Sequence, residues 1–238
     1  MRIQFSLLLL LLTVSLTQGQ NTLTPAEKKS GWQLLFNGKN TVGWHAYGSK
    51  GVPAAWQAEQ GALHLNVPNR VGNKAENGGD LVTDAVFTGD FEFKADWKVG
   101  RLTNSGIFFF VQETPANKNI YDTGLEMQVL DNTIYEGADE NKHRAGDFFS
   151  VANARVREVN AVGEWNQVNF VKKNGRLTVS LNGFTIHEFD LNGPEWKQRL
   201  AGSKLKDAPI AGGNYTGRIG LQDWGSTVWF RNVKIRKL

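Results

Sequence analysis

The stretch from Glu164 to Phe189 leaves this chain little choice of local structure. The segment Glu164-Trp165-Asn166-Gln167-Val168-Asn169-Phe170-Val171 is rich in β-forming residues and runs into Lys173-Asn174-Gly175. Asn-Gly is the preferred two-residue hairpin turn, because both central residues must take φ > 0. Arg176 to Leu181 then pairs back, and a second step at Asn182-Gly183 starts Phe184 to Phe189. The pattern predicts a three-stranded antiparallel meander. Phe91, Phe93, Ala95, Trp97 and Val99 alternate with Glu92, Lys94, Asp96 and Lys98. Such period-two spacing places one face in a core and the other in water. Ile107 to Val111 is apolar on both faces and reads as a central strand. Further strands are expected at Gly31–Gly38, at a hairpin about Gln60-Gly61, at Leu81–Thr83, at Gly217–Asp223 and at Thr227–Leu238. The Gly/Asn-rich stretch Asn69 to Asp80 is expected as loop, and Lys234 to Lys237 as the wet side of the last strand. Helical spacing occurs at Pro194 to Leu205, with Pro near the first turn. A dozen or so strands and at most one or two short helices define an all-β chain, built as two packed antiparallel sheets or a barrel. No repeat or linker divides it, so one domain is expected over residues 31–238.

The N-terminus reads differently. Arg2 precedes the leucine-rich run Phe5 to Leu12, and the segment closes with Thr17-Gln18-Gly19. This is the layout of a secretory signal peptide over residues 1–19, removed before Gln20, followed by a polar lead over 20–30. The run is too short for a comfortable membrane span, and no second one follows. A secreted or periplasmic location is expected. The chain holds no cysteine, so neither lipidation at Cys nor disulfides are available, and the fold must be held by its core alone. A net charge of +4 with scattered basic residues does not form a nucleic-acid patch. Eight Trp and 26 Gly suit many strands, tight turns and a sugar-stacking surface.

Tyr121 to Asn132 carries the polar residues that most need explaining. Read as a strand, it points Leu125, Met127 and Val129 one way and Glu126 and Gln128 the other. A carboxylate and an amide two residues apart in an apolar strand are costly to bury unpaired, so they line a polar cleft or are solvated. Asp131, at the strand end, could be turned by a bulge onto the face of Glu126. The sequence therefore centres a candidate site on Glu126, Gln128 and Asp131.

Several motifs then recur in order: Trp32-Gln33-Leu34-Leu35-Phe36-Asn37-Gly38-Lys39 with Gly43-Trp44, Asn104-Ser105-Gly106-Ile107-Phe108, and Glu126-Met127-Gln128-Val129-Leu130-Asp131-Asn132. They continue with Lys142-His143-Arg144-Ala145-Gly146, Gly163-Glu164-Trp165-Asn166, Ile219-Gly220-Leu221-Gln222-Asp223, and Val228 through Arg236. Together they resemble the 3-keto-disaccharide hydrolase domain family across essentially the whole chain after residue 19. The resemblance implies a concanavalin A-like jelly-roll sandwich, export, and hydrolysis of 3-keto-glycosides. It also implies a sugar-oxidising oxidoreductase upstream as the source of the ketone. Two departures stand out. Trp224 occupies the position after Gln-Asp where such members usually have a His, and Thr133 to Asn141 contains no His. Asp147 also precedes Phe148-Phe149 where an apolar-aromatic pair is usual.

The implied chemistry explains the residue types. A ketone at sugar carbon 3 acidifies the hydrogen at carbon 2; its removal expels the group on carbon 1, and water adds back. That needs a base, a partner for the enolate oxygen and an acid for the leaving group. Glu126 is the candidate base or acid, and His143 with Arg144 pairs a titratable group with a permanent cation. Gln128, Asp131, Gln222, Trp224, Ser105 and Trp44 are candidate substrate-binding residues, with Asp131 equally able to orient His143 or to cap a turn and Trp224 equally able to be a core residue. Gln222 and Asp223 lie on opposite faces of their strand, so only one readily faces a cleft. His187 is expected on the surface, and His45 lies in an aromatic, glycine-flanked loop. No two histidines stand at metal-ligand spacing, and no cofactor is called for; a divalent metal held by Glu126, Asp131 and His143 is the alternative left open. A non-catalytic sugar-binding module, motivated by Trp224 and the absent histidines, is the competing function. A conventional β-glucan hydrolase fits less well, because Glu-x-Gln-x-x-Asp lacks the paired carboxylates of retaining hydrolysis.

Overall fold

The computed structural model describes residues 19–135, 143–155 and 158–238. The strands of the first half are β1 (Gln33–Leu34), β2 (Trp44–Ala46), β3 (Trp56–Glu59), β4 (Ala62–Leu65), β5 (Arg70–Val71), β6 (Lys74–Ala75), β7 (Leu81–Thr83) and β8 (Phe91–Val99). Those of the second half are β9 (Asn104–Val111), β10 (Leu125–Leu130), β11 (Asn166–Lys173), β12 (Arg176–Leu181), β13 (Phe184–Asp190), β14 (Arg218–Leu221) and β15 (Val228–Lys237). Among the described residues the α-helices are α1 (Pro25–Lys29) and α2 (Pro194–Ala201), and no helix is long and apolar enough to cross a membrane. The short β5–β6 ladder lies within the stretch expected to be loop.

Two antiparallel sheets form a sandwich. The larger runs β13-β12-β11-β8-β15-β4-β3, with β1 added on β15; the smaller runs β10-β9-β14-β7-β2. The expected meander is β11-β12-β13. Its turns take φ of 49° and 74° at Asn174 and Gly175, and 50° and 85° at Asn182 and Gly183, as a type I′ turn requires. Phe91, Phe93, Ala95, Trp97 and Val99 all point into the core. At the centre Phe109 of the smaller sheet stacks on Phe170 of the larger at 3.6 Å and meets Phe93 edge-on at 5.4 Å. Edge-on ring pairs add to what burial alone contributes.

Three expectations are corrected. The outer face of β8 is less wet than alternation suggests: Glu92 and Asp96 are buried because Arg236 covers the first and Arg231 and Asn232 the second. Lys234 is likewise buried, against Glu27 of α1 and the Trp32 ring. His187 is not on the surface. The 143–155 segment folds over β13, so the imidazole stacks on Phe148 at 4.1 Å and its Nε2 bonds the Gly146 carbonyl at 2.7 Å. Burial pushes its pKa down to about 4 and keeps the ring neutral.

Candidate active site

The site is built on the strand that the alternation singled out. In β10, Leu125, Met127 and Val129 enter the core, while Glu126 and Gln128 face outward from the smaller sheet. The β10–β9 register pairs Glu126 with Phe108 and Gln128 with Gly106. Gly106 matters for its missing side chain: a Cβ there would lie 2.5 Å from Glu126 Oε1. On the far side the Gln222 N–H donates to the Gly106 carbonyl at 2.9 Å, bringing Gln222 alongside. Three strands thus gather Glu126, Gln128 and Gln222 around one glycine, each side chain at least 95 % buried.

The rest of the cleft is assembled by loops. Tyr121, Asn104, Trp224, His143, Phe149 and Lys204 complete a cavity of about 460 Å³ above the three floor residues. The segment bearing His143 and Phe149 pairs along the free edge of β10. Gly146 N–H donates to the Gln128 carbonyl, Gln128 N–H to the Asp147 carbonyl, and Phe149 N–H to the Glu126 carbonyl, all at 2.9–3.0 Å. The fully buried Asp147 holds this loop by accepting from the N–H groups of Arg144 and Ala154, which accounts for a charge ahead of the Phe pair. Trp224 is placed by its neighbour. The Asp223 carboxylate is buried and accepts from the N–H groups of Ala75, Gly79 and Gly225, stapling the 75–79 loop to the end of β14. Asp223 therefore serves the frame and Gln222 the cleft.

Electrostatically the floor is dominated by one carboxyl group. Burial, reinforced by the negative charge of Asp80, pushes the Glu126 pKa up to about 8, against the opposing pull of the Gln128 and Gln222 amides and the Lys204 ammonium. Asp80 itself is held by Lys74 at 2.7 Å and by the Asp223 N–H at 2.9 Å. Oε1 of Glu126, Gln128 and Gln222 is in each case buried without a hydrogen-bond partner among the described residues. Three polar groups at the base of an aromatic-walled cleft are suited to sugar hydroxyls. A recess of similar size, about 440 Å³, lies on the outer face of the larger sheet. Its charged groups are all paired, Lys234 with Glu27, Asp96 with Arg231 and Lys94 with Glu92, and against the effect of burial the Lys234 and Thr24 contacts hold the Glu27 carboxyl below its usual range. It offers no comparable chemistry.

Of the residues named from sequence, Glu126, Gln128, His143, Gln222 and Trp224 meet in this cleft, and four others do not line it. Asp131 stays at the strand end, its carboxylate accepting from Leu102 N–H, Thr133 N–H and the Thr133 hydroxyl at 2.7–3.0 Å. That is a turn cap, and no bulge rotates it toward Glu126. Glu126, Asp131 and His143 are accordingly not assembled as metal ligands, and no group of three His, Asp or Glu able to hold a metal occurs among the described residues. Ser105 lies on the opposite face of β9 from Gly106, where its hydroxyl donates to the Gln222 carbonyl at 2.8 Å. Trp44 is a core residue whose indole N–H donates to the Leu35 carbonyl. Arg144 stands beside His143 in sequence but not on the cleft wall. His45 lies elsewhere, bridging Asp84 at 2.6 Å and Glu113 at 2.9 Å. Sequence reasoning missed Asn104, Tyr121, Phe149 and Lys204 as wall residues. Asn104 and Tyr121 open stretches already singled out and Phe149 belongs to the aromatic pair noted after Asp147, whereas nothing local marks Lys204.

Fold and cleft together define a concanavalin A-like jelly-roll protein with a sugar-sized site over one sheet. The fold is shared with a Bacillus subtilis protein of galectin-like fold, 15% identical, TM-score 0.52, over 92% of this chain and 94% of that one. The chain belongs to the 3-keto-alpha-glucoside-1,2-lyase-like domain family, whose model matches residues 31–236. It is 31% identical over 229 residues to a 3-keto-disaccharide hydrolase of Bacteroides thetaiotaomicron, across 87% of this chain and 79% of that protein. A Parabacteroides distasonis crystal structure assigned to the glycosyl hydrolases is 33% identical, with TM-score 0.79 over 92% of this chain and 100% of that one.

Proposed function

We propose that this protein is an exported hydrolase of 3-keto-glycosides that works by elimination and hydration. The observation that carries the reading is Glu126: a single buried carboxyl, poised near neutral pH between two amides, at the floor of an aromatic cleft. A base is most useful when its pKa lies near the working pH, and burial has moved this one there. The family and the Bacteroides relative support the choice of substrate, and the leucine-rich N-terminus supports export.

Ionised Glu126 takes the proton from carbon 2, and the C–H electron pair moves into an enolate with the carbon 3 ketone. The enolate collapses, the C1–O bond breaks, and the leaving oxygen takes a proton from His143. Water then adds across the C1–C2 double bond: its hydroxyl joins carbon 1 after losing a proton to His143, and Glu126 returns a proton to carbon 2. The sum is hydrolysis, with both groups restored. Gln128 and Gln222 hold sugar hydroxyls, and Trp224 and Tyr121 supply faces for the apolar side of a ring. No second carboxylate is needed, because the ketone supplies the activation that paired carboxylates supply in ordinary retaining glycosidases.

The test is incubation of the purified protein with matched 3-keto-glycosides and their unoxidised parents, following release of the carbon 1 group. Turnover of the keto members alone supports the reading. Binding without turnover of either set would favour a sugar-binding module, and turnover of the parents an ordinary glycosidase.

A further inference from the structure

The proposed reaction places negative charge on the carbon 3 oxygen, yet Arg144, the cation beside His143 in sequence, does not line the cleft. Lys204 does. The residues on either side of it, Ser203 and Leu205, are buried. Ser203 Oγ donates to the Leu200 carbonyl at 2.7 Å and accepts from the Leu205 N–H at 3.0 Å, fixing the turn after α2. The Lys204 N–H donates to Ser150 Oγ at 2.8 Å, tying that turn to the loop bearing His143 and Phe149. With its backbone held on both sides, the lysine lays its side chain over the cleft mouth, the ammonium 4.6 Å from the Phe149 ring centroid.

The charge is also uncommitted. Lys74 is spent on Asp80 and Arg218 on Glu113, whereas Lys204 makes no ion pair among the described residues. An aromatic face positions a cation without neutralising it. The geometry points to Lys204, seated on Phe149, as the catalytic cation that stabilises the enolate oxygen at carbon 3. This rests on the keto-glycoside reading. As the C2–H pair moves onto the ketone oxygen, the ammonium donates a hydrogen bond to it, and no proton has to be transferred. An unoxidised sugar never develops that charge, so the contribution belongs to the transition state of keto substrates.

The experiment compares the wild type, Lys204→Met, Lys204→Arg and Phe149→Leu on one 3-keto-glycoside from pH 6 to 9.5. Lys204→Met should lower kcat by ~10²-fold or more, the scale of one lost oxyanion donor, with KM changed less. Lys204→Arg should recover most of that loss, and Phe149→Leu should show a smaller loss of the same kind. Removing the charge should also move the midpoint of the kcat/KM profile to higher pH. The other groups facing Glu126, namely Asp80 with its Lys74, His143 and Tyr121, are unaltered, so the movement reports Lys204. An unchanged thermal midpoint at pH 4.5 would show that the fold is intact. A Lys204→Met enzyme with kcat within threefold of wild type, or with only KM raised and the pH midpoint unmoved, would overturn the assignment. A wild type that turns over no keto-glycoside would instead sink the hydrolase reading itself.

Discussion

Glu126→Gln should make the protein more stable as it makes it inactive, and the gain should depend on pH. An ordinary Glu ionises near 4.5, whereas burial and Asp80 push Glu126 up to about 8. The group stays protonated in the fold at pH values where the unfolded chain has already ionised it. The stability linked to this carboxyl is therefore fully present below pH 4.5, declines as pH rises, and is lost by about pH 8. One pKa unit corresponds to about 1.4 kcal/mol, so at pH 7 the deficit is roughly 3 kcal/mol. Glutamine is nearly isosteric, carries no charge at any pH, and can still bond Gln128 and Gln222. It should recover most of that deficit. For a chain of this size 1 kcal/mol moves Tm by roughly 2–4 °C, so the variant should melt ~6–12 °C above wild type at pH 7. Differential scanning calorimetry of both proteins from pH 4.5 to 8.5 measures the gap. It should be near zero at the acid end and widen as pH rises. A gap that is constant across pH 5–8, or a variant less stable than wild type at pH 7, would refute the claim that Glu126 is held protonated by burial.

Other expectations follow from the same geometry. If Glu126 acts as a base in the free enzyme, kcat/KM on a 3-keto-glycoside should show a rising limb with a midpoint near pH 8; a profile without that rising limb would contradict the assignment. Gly106→Ala puts a methyl where the Glu126 carboxylate lies, and should lower kcat at least ~10-fold, as misplacement of a catalytic group does, with the circular dichroism spectrum unchanged. Asp223→Ala strands the N–H groups of Ala75, Gly79 and Gly225 and should cost ~3 kcal/mol or more in urea denaturation. Asp131→Asn, at a turn cap, should leave kcat within about threefold of wild type while lowering stability by ~1 kcal/mol, the usual scale for one weakened hydrogen bond to a charge.

How much of this was legible depended on whether the signal was local. Asn174-Gly175 and Asn182-Gly183 specify their turns through their own backbone preferences, and the Phe91–Val99 alternation specifies a face through its period. Glu126 and Gln128 stood out because they break an apolar strand. Partners reached through space were harder to read. Asp131, Ser105 and Trp44 belong to the family motifs, yet their polar atoms bond backbone groups and serve the frame. Short polar motifs do not distinguish a residue that holds a turn from one that holds a sugar. His187 looked exposed because period-two logic assumes one bare sheet face, and a distant loop covers that face here. Lys204 lies in a turn nearly eighty residues from Glu126, with only a short amphipathic helix before it. Nothing in its neighbourhood encodes the Ser150 contact that brings it to the cleft.

In the proposed reaction Glu126 removes the proton at carbon 2 of a 3-keto sugar. The most direct test of this step is the rate of C1–O cleavage by wild type and Glu126→Gln on a 3-keto-glycoside carrying either hydrogen or deuterium at carbon 2. Deuterium should slow the wild type several-fold, and the variant should cleave either substrate at least ~10²-fold more slowly, the scale of a lost general base. A Glu126→Gln protein that cleaves the keto-glycoside as fast as wild type would contradict this role for Glu126.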